Sequence, residues 1–255
     1  MGDRGGALVV RGEAGIGKSA LLAAASRRAT DSGMLVLGAT GVQAEAQLPF
    51  AGLHQLLRPI LAGGQELPAP QRTALLAAFG MTDTAAPDLF LIALAALELL
   101  ADTAARSPLL LVVEDAQWLD RPTGDVLAFL ARRLESEPIV LLVAIREGYK
   151  SSLAQAGLSE LRLEGLEDRA AGALLDAHGP ALAAAVRERV LEEAAGNPLA
   201  LVELPAALGS DQLGEQAPLP AWLPLTVRLE HAFAARVAEL RTVTRPHAAA
   251  GRRRR

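Results

Sequence analysis

Gly12-Glu13-Ala14-Gly15-Ile16-Gly17-Lys18-Ser19 has the form G-x-x-x-x-G-K-[ST]. It follows the apolar run Ala7-Leu8-Val9-Val10 and opens into Ala20-Leu21-Leu22-Ala23-Ala24-Ala25, a strong helix-forming sequence. Strand, glycine-rich loop and helix, in that order, are what a phosphate-binding loop requires. Gly12, Gly15 and Gly17 let the backbone turn tightly and aim its N–H groups at a phosphate. The N-terminus of the following helix adds partial positive charge at the same spot. Lys18 is placed to reach β- and γ-phosphates, and the Ser19 hydroxyl to ligate Mg²⁺. The residues expected around the nucleotide are therefore Gly12, Glu13, Ala14, Gly15, Ile16, Gly17, Lys18, Ser19 and Ala20. The rival reading is a Gly-rich turn that merely starts a helix. Lys18 and Lys150 are the chain's two lysines, so a chance match is about one in several hundred.

The 255 residues suit one large domain or one domain with a smaller appendage. Apolar residues make up 51% and aromatic ones 3%, so a sizeable core must be built by aliphatic packing. A net charge of −4 gives no general reason to expect nucleic-acid binding. Without cysteine there is neither a disulfide framework nor a thiolate metal site. The four histidines, His54, His178, His231 and His247, lie far apart without metal-ligand spacing. The first residues lack the apolar stretch of a signal peptide, and no run of eighteen apolar residues occurs. A cytoplasmic protein without membrane contact is expected.

In order, the chain alternates strand-like and helix-like runs. The loop helix covers about 18–32, Gly33 ends it, and 34–39 reads as a second strand. Residues 41–106 offer no strand but three helical patterns, at about 50–61, 70–79 and 87–104, punctuated by Pro49, Pro68, Pro70 and Pro87. Leu109-Leu110-Leu111-Val112-Val113 is an apolar strand of the kind buried on both faces of a parallel sheet. A helix at 122–134 follows, then a second fully buried strand at 139–145 and a weaker one at 158–163. From Glu167 the pattern is helical, at 167–177, 181–195 and 198–208. These features predict an α/β core with a parallel five-stranded sheet over 1–166, carrying a helical insert at 41–106. A helical lid over 167–208 follows, then a linker at 209–220, a helix at 223–240 and a disordered tail at 241–255.

A phosphate-binding loop that drives hydrolysis needs acid across the sheet. Residues 109–113 run directly into Glu114-Asp115, which fits a Walker B pattern. By register Glu114 takes the metal position at the strand end, holding Mg²⁺ partly through water. Asp115 takes the position that polarises the attacking water. The competing reading is an acidic turn, with Asp120 or Thr123 capping the helix after Pro122.

GEAGIGKSALL, then Leu48-Pro49-Phe50-Ala51-Gly52-Leu53-His54-Gln55-Leu56-Leu57, then LLLVVEDAQWLD, then Gly196-Asn197-Pro198-Leu199-Ala200-Leu201 occur in one order. Together they resemble the ATPase domain of the large LuxR-type bacterial transcriptional regulators, within the signal-transduction (STAND) ATPases of the AAA-like P-loop superfamily. The resemblance spans Gly6 to about Leu240. It implies ATP or ADP as ligand and an ASCE-type core, with the 139–145 strand lying between the loop strand and the acidic strand. It also implies that Arg146 is the sensor of the γ-phosphate and that Pro198 lies near the adenine. Arg146 can equally be a solvated charge at a strand end, and Asn197-Pro198 is also an ordinary helix start, N-cap followed by Pro at N1.

Those regulators run to several times this length and end in a helix-turn-helix. The expectation is thus an ATP-binding switch with weak Mg-dependent hydrolysis and no specific DNA binding, the missing regulator domains or self-association supplying its partners. No arginine finger is identifiable in cis, which points to a neighbouring subunit. A small-molecule P-loop kinase and a nucleotide-binding remnant without turnover are the alternatives. Arg252-Arg253-Arg254-Arg255 reads either as a nucleic-acid or membrane tether or, preferably, as a truncated tail of no selected function.

Overall fold

The computed structural model describes residues 5–82, 88–178 and 182–207. The expectations for 209–220, 223–240 and the Arg-rich tail lie outside these residues. The chain divides into two compact units, one of Met1–Gly12 with Lys18–Arg162, the other of Glu13–Gly17 with Leu163–Arg255.

The first unit is a five-stranded sheet in the order β2-β3-β4-β1-β5 with every neighbouring pair parallel. Its strands are β1 (Gly6–Gly12), β2 (Leu35–Thr40), β3 (Leu109–Glu114), β4 (Ile139–Arg146) and β5 (Ser159–Arg162). Strand β4 therefore lies between β1 and β3, the arrangement expected for 139–145. The helices of this unit are α1 (Lys18–Asp31), α2 (Ala51–Leu57), α3 (Ala69–Ala78), α4 (Leu89–Ala104) and α5 (Arg121–Ala131). Residues 41–106 contain helices and turns but no strand among the described residues.

Local chemistry explains most boundaries. In α4, Ile92, Ala93, Ala96, Leu99, Leu100 and Ala104 repeat at helical spacing and are buried, and the Asp88 carboxylate caps the helix by accepting from Phe90 N–H at 2.8 Å. Helix α2 stops at Leu57, earlier than the periodicity to Leu61 suggests, because Pro59 has no N–H to donate back and its ring obstructs the carbonyl of Gln55. The chain continues as a 3-10 segment, Arg58–Glu66. Helix α5 likewise ends at Ala131 rather than Leu134: Leu134 turns into the core, and Arg133 lies over the Phe129 ring with Cζ 3.6 Å from the centroid. No helix among the described residues is long and apolar enough to cross a membrane.

The sheet's two faces are not equally covered. Ile139, Leu141, Val143 and Ile145 are fully buried in the layer that also holds α2, α4 and α5. Val140 and Leu142 are only half-buried, so β4 is not the fully buried strand its composition suggests. Their face carries α1 alone among the described helices of this unit, with Leu22 and Ala29 buried. Strand β5, at the sheet edge, is exposed throughout.

One carboxylate ties the insert to the start of α5. Asp120, 3% exposed, is the N-cap of α5: Oδ1 accepts from Thr123 N–H at 2.9 Å, and Oδ2 from the Thr123 hydroxyl at 2.7 Å. The same oxygens accept from Phe50 N–H at 2.8 Å and Gly52 N–H at 3.1 Å, while Thr123 Oγ1 accepts from Leu53 N–H at 3.0 Å. The orphan N–H groups opening α2 are thus met by residues that open α5. The acidic-turn reading of this stretch is correct as far as Asp120 goes, and it coexists with the acidic pair upstream.

The second unit packs α6 (Asp168–His178), α7 (Ala184–Ala194) and α8 (Pro198–Ala207) around Ala171, Leu175, Val186, Val190, Ala194, Ala200, Leu201 and Leu204. Arg187 holds Asp176 bidentately, at 3.0 and 3.1 Å, linking α7 to α6. That hydrogen-bonded guanidinium lowers the pKa of the Asp176 carboxyl. Its small, solvent-screened contribution is present above the ordinary carboxylate range and fades as pH falls through it.

Asp120→Ala removes a buried cap and leaves the Phe50 and Gly52 donors unmatched. Loss of the cap costs about 1 kcal/mol and each stranded donor about 1–3 kcal/mol. Thermal unfolding followed by circular dichroism should show the midpoint falling by roughly 6–28 °C. Asp120→Asn, isosteric but with an N–H₂ facing donors, should lose a substantial part of the same stability.

Candidate nucleotide site

Because the strands are parallel, the loops after β1, β3 and β4 leave one edge of the sheet. Gly12, the last residue of β1, is in register with Arg146, the last of β4. The Gly12 carbonyl accepts from Glu147 N–H at 3.1 Å and from Lys18 Nζ at 2.8 Å. Lys18 is the first residue of α1 and only 8% exposed, so its ammonium is folded back toward the end of the strand it follows. Ser19 and Ala20, next on α1, are exposed, where the helix's first N–H groups lack intrahelical partners.

Glu114 closes β3 in register with Thr40, and its carboxylate makes no ion pair or hydrogen bond with the described residues. Asp115 then adopts a left-handed backbone, φ 47° and ψ 44°, which Asp tolerates better than most residues. Its Oδ1 lies 3.5 Å from Arg146 Nε and accepts from Gln117 Nε2 at 2.7 Å. Gln117 Oε1 accepts the backbone N–H of Arg146 at 3.1 Å. Trp118 meets Tyr149 edge-on, with centroids 5.2 Å apart, so the turns after β3 and β4 are held together by polar and aromatic contacts. The Asp115–Arg146 pair is about one-third exposed on both sides, which limits its stability contribution to about 1 kcal/mol.

In the second unit, Glu13–Gly17 lies against the start of α8. Asn197 Nδ2 donates to the Ala14 carbonyl at 3.0 Å, and Leu199 N–H to Gly15 O at 3.2 Å. Asn197 Oδ1 accepts from Leu199 N–H at 3.0 Å and Ala200 N–H at 3.3 Å, so it is the N-cap its sequence suggests. Gly15 is required twice over: its φ is +78°, and a Cβ there would come within 2.8 Å of Asn197 Oδ1. Gly17, at φ +101°, leaves a Cβ position 3.9 Å from Pro198 Cγ.

The structure therefore brings Asp115 and Arg146 together, sets Gly12 beside Arg146, and places the loop glycines against Asn197 and Pro198. The sequence reading missed Gln117 and the grip of Asn197 on Ala14. A polar residue two positions after the acidic pair was the local signal for the first. The partner of the second is 183 residues away and left no local signal. Among the described residues no group of His, Cys, Asp and Glu forms a ready metal cage.

A parallel α/β sheet with this strand order, a glycine-rich loop closing on a lysine, and an acidic strand end defines a P-loop ATPase fold. The family model of the AAA ATPase domain matches residues 1–143, and the chain belongs to that family. No curated protein matches it. Among solved structures it is similar to a STAND protein with a tetratricopeptide repeat sensor from Pyrococcus horikoshii (17% identity, TM-score 0.45, 78% of this chain and 27% of that one). It is also similar to a chain of the E. coli HORMA–CdnC–Trip13 complex (14% identity, TM-score 0.42, 74% and 59%). A third is a chain of Drosophila ORC bound to DNA (14% identity, TM-score 0.46, 94% and 58%). The chain thus spans between about a quarter and three-fifths of these proteins' lengths.

Lys18→Ala should weaken ATP binding by at least a hundredfold in a calorimetric titration, while the melting temperature stays within a few degrees. Parental affinity in this variant would remove the phosphate-binding role of the loop.

Proposed function

We propose that this chain is an ATP-binding signal-transduction switch that hydrolyses ATP weakly, of the kind found as the regulatory ATPase module of LuxR-type transcriptional regulators. The observation that carries the reading is the Asp115–Arg146 contact at 3.5 Å, one strand from the end of β1. An acidic group and a cation that meet there suit hydrolysis coupled to sensing better than transfer to an acceptor. The four motifs in register, from GEAGIGKS to GNPLAL, support the finer family reading.

In this reading the N–H groups of Gly12–Ser19 hold the phosphates and Lys18 exchanges the Gly12 carbonyl for β- and γ-phosphate oxygens. Asp115 orients the attacking water, and Arg146 leaves Asp115 for the γ-phosphate. The Ser19 hydroxyl and the Glu114 carboxylate are hard oxygen donors of the kind magnesium takes, and they fit an ion held largely through water. Magnesium bound there would supply charge neutralisation on the phosphate oxygens. Pro198 is the residue that the resemblance assigns to the adenine.

The order Glu-Asp sets the rate. Glu114 is one methylene longer than Asp and must fold back to reach a metal's hydration shell. Asp115 is one methylene shorter than Glu and holds water closer to the backbone. A misplacement of about 1 Å can cost on the order of a hundredfold in rate, so turnover is slow while binding is preserved.

Phosphate release by the purified protein with Mg-ATP and no acceptor tests the reading. Asp115→Asn should abolish release and leave Mg-ATP bound, and Glu114→Gln should weaken the dependence of binding on Mg²⁺. Release at the parental rate from Asp115→Asn would show that Asp115 does not act on the water.

A further inference from the structure

The acidic pair and the arginine leave one polar group between them unused, the Gln117 side chain. Its amide makes two bonds of opposite sense, Nε2 donating to Asp115 Oδ1 at 2.7 Å and Oε1 accepting Arg146 N–H at 3.1 Å. An amide in this place can satisfy both partners in one orientation only, because a carboxylate cannot donate and a backbone N–H cannot accept. The side chain is half-buried, and the turn that carries it, Ala116–Trp118, is pinned by buried Ala116 and by the Trp118–Tyr149 contact. Its backbone is further confined by Gly41, where a Cβ would clash with the Asp115 carbonyl and come within 2.9 Å of Leu119 N.

We propose that Gln117 is the positioning residue of Asp115: braced on the end of β4, it holds the carboxylate by Oδ1 and leaves Oδ2 to the attacking water. The proposal rests on the hydrolytic reading of Asp115 given above. Gln117 Nε2 donates to Oδ1 and Arg146 Nε makes an ion pair with the same oxygen at 3.5 Å, whereas Oδ2 accepts from no described residue. When Arg146 turns to a phosphate, Gln117 remains as the contact that keeps the carboxylate from rotating. The brace is the backbone N–H of Arg146, which stays in place wherever the guanidinium goes. Gln117 therefore couples the acid to the strand of the arginine without depending on the arginine's own position.

Two near-isosteric variants separate the bonds. Gln117→Glu keeps an acceptor for Arg146 N–H and loses the donor to Asp115. Gln117→Met keeps the length and loses both. Phosphate release under saturating Mg-ATP and the Mg-ATP Kd by calorimetry are measured for the parent and both variants. The expected result is a kcat lower by about 10–100-fold in both, with Kd within about twofold and, for Gln117→Glu, an unchanged melting temperature. Should one variant not fold, the other still reads the donor. Parental kcat in either folded variant overturns the role of Gln117 alone, and so does a loss of affinity that matches the loss of rate. A parent that binds Mg-ATP and releases no phosphate overturns the catalytic reading of Asp115 and the Gln117 role with it.

Discussion

Strand β4 has neighbours on both sides, and its main-chain groups must be satisfied by both. β1 pairs with it from Gly6↔Val140 to Gly12↔Arg146, and β3 from Leu109↔Ile139 to Val113↔Val143. An unmatched buried amide costs a substantial fraction of a domain's stability, so these two ladders fix the relative heights of three strands. Since the strands are parallel, fixing their heights also fixes where their C-terminal ends emerge. Gly12, Glu114 with Asp115, and Arg146 are brought to one edge for that reason.

Two side chains perform a second task while capping a helix. Asp120 caps α5 and receives the N–H groups of Phe50 and Gly52, so the start of the insert is anchored where the acidic turn ends. Asn197 caps α8 and donates to Ala14 in the glycine loop. Asp and Asn serve because a helix start offers several unpaired donors and a short side chain with two polar atoms can meet them while turned toward a distant segment. The glycine at position 15 has the complementary role, since any side chain there would occupy the space of Asn197 Oδ1.

The acidic turn has a limited set of conformations. Asp115 is left-handed, its Oδ1 is engaged by Gln117 and Arg146, and a glycine is needed at position 41 because the turn's backbone passes too close for a Cβ. The contacts are polar and partly solvated, so they orient more than they stabilise. On the proposed reading, this is a site preorganised by hydrogen bonds and short on reach, with the longer carboxylate at the metal position and the shorter one at the water.

The class of the fold was legible from the order of the residues alone. A G-x-x-x-x-G-K-S loop between an apolar strand and an Ala-Leu helix, with two further aliphatic runs, dictates a parallel sheet, because the spacing and residue types carry local conformational preferences. That order also placed Lys18, Glu114 and Asp115 at the start or end of recognisable elements, while Arg146 was singled out by resemblance and stands at the end of β4. Local pattern could not say that Val140 and Leu142 would be left half-covered, because coverage depends on how many helices reach that face. Nor could it say which of the polar residues after the acidic pair would matter. Gln117, Asp120 and Asn197 acquire their partners from segments 29, 70 and 183 residues away. Those pairings exist only in the folded chain, and hydrogen bonds at that separation leave no period in the sequence.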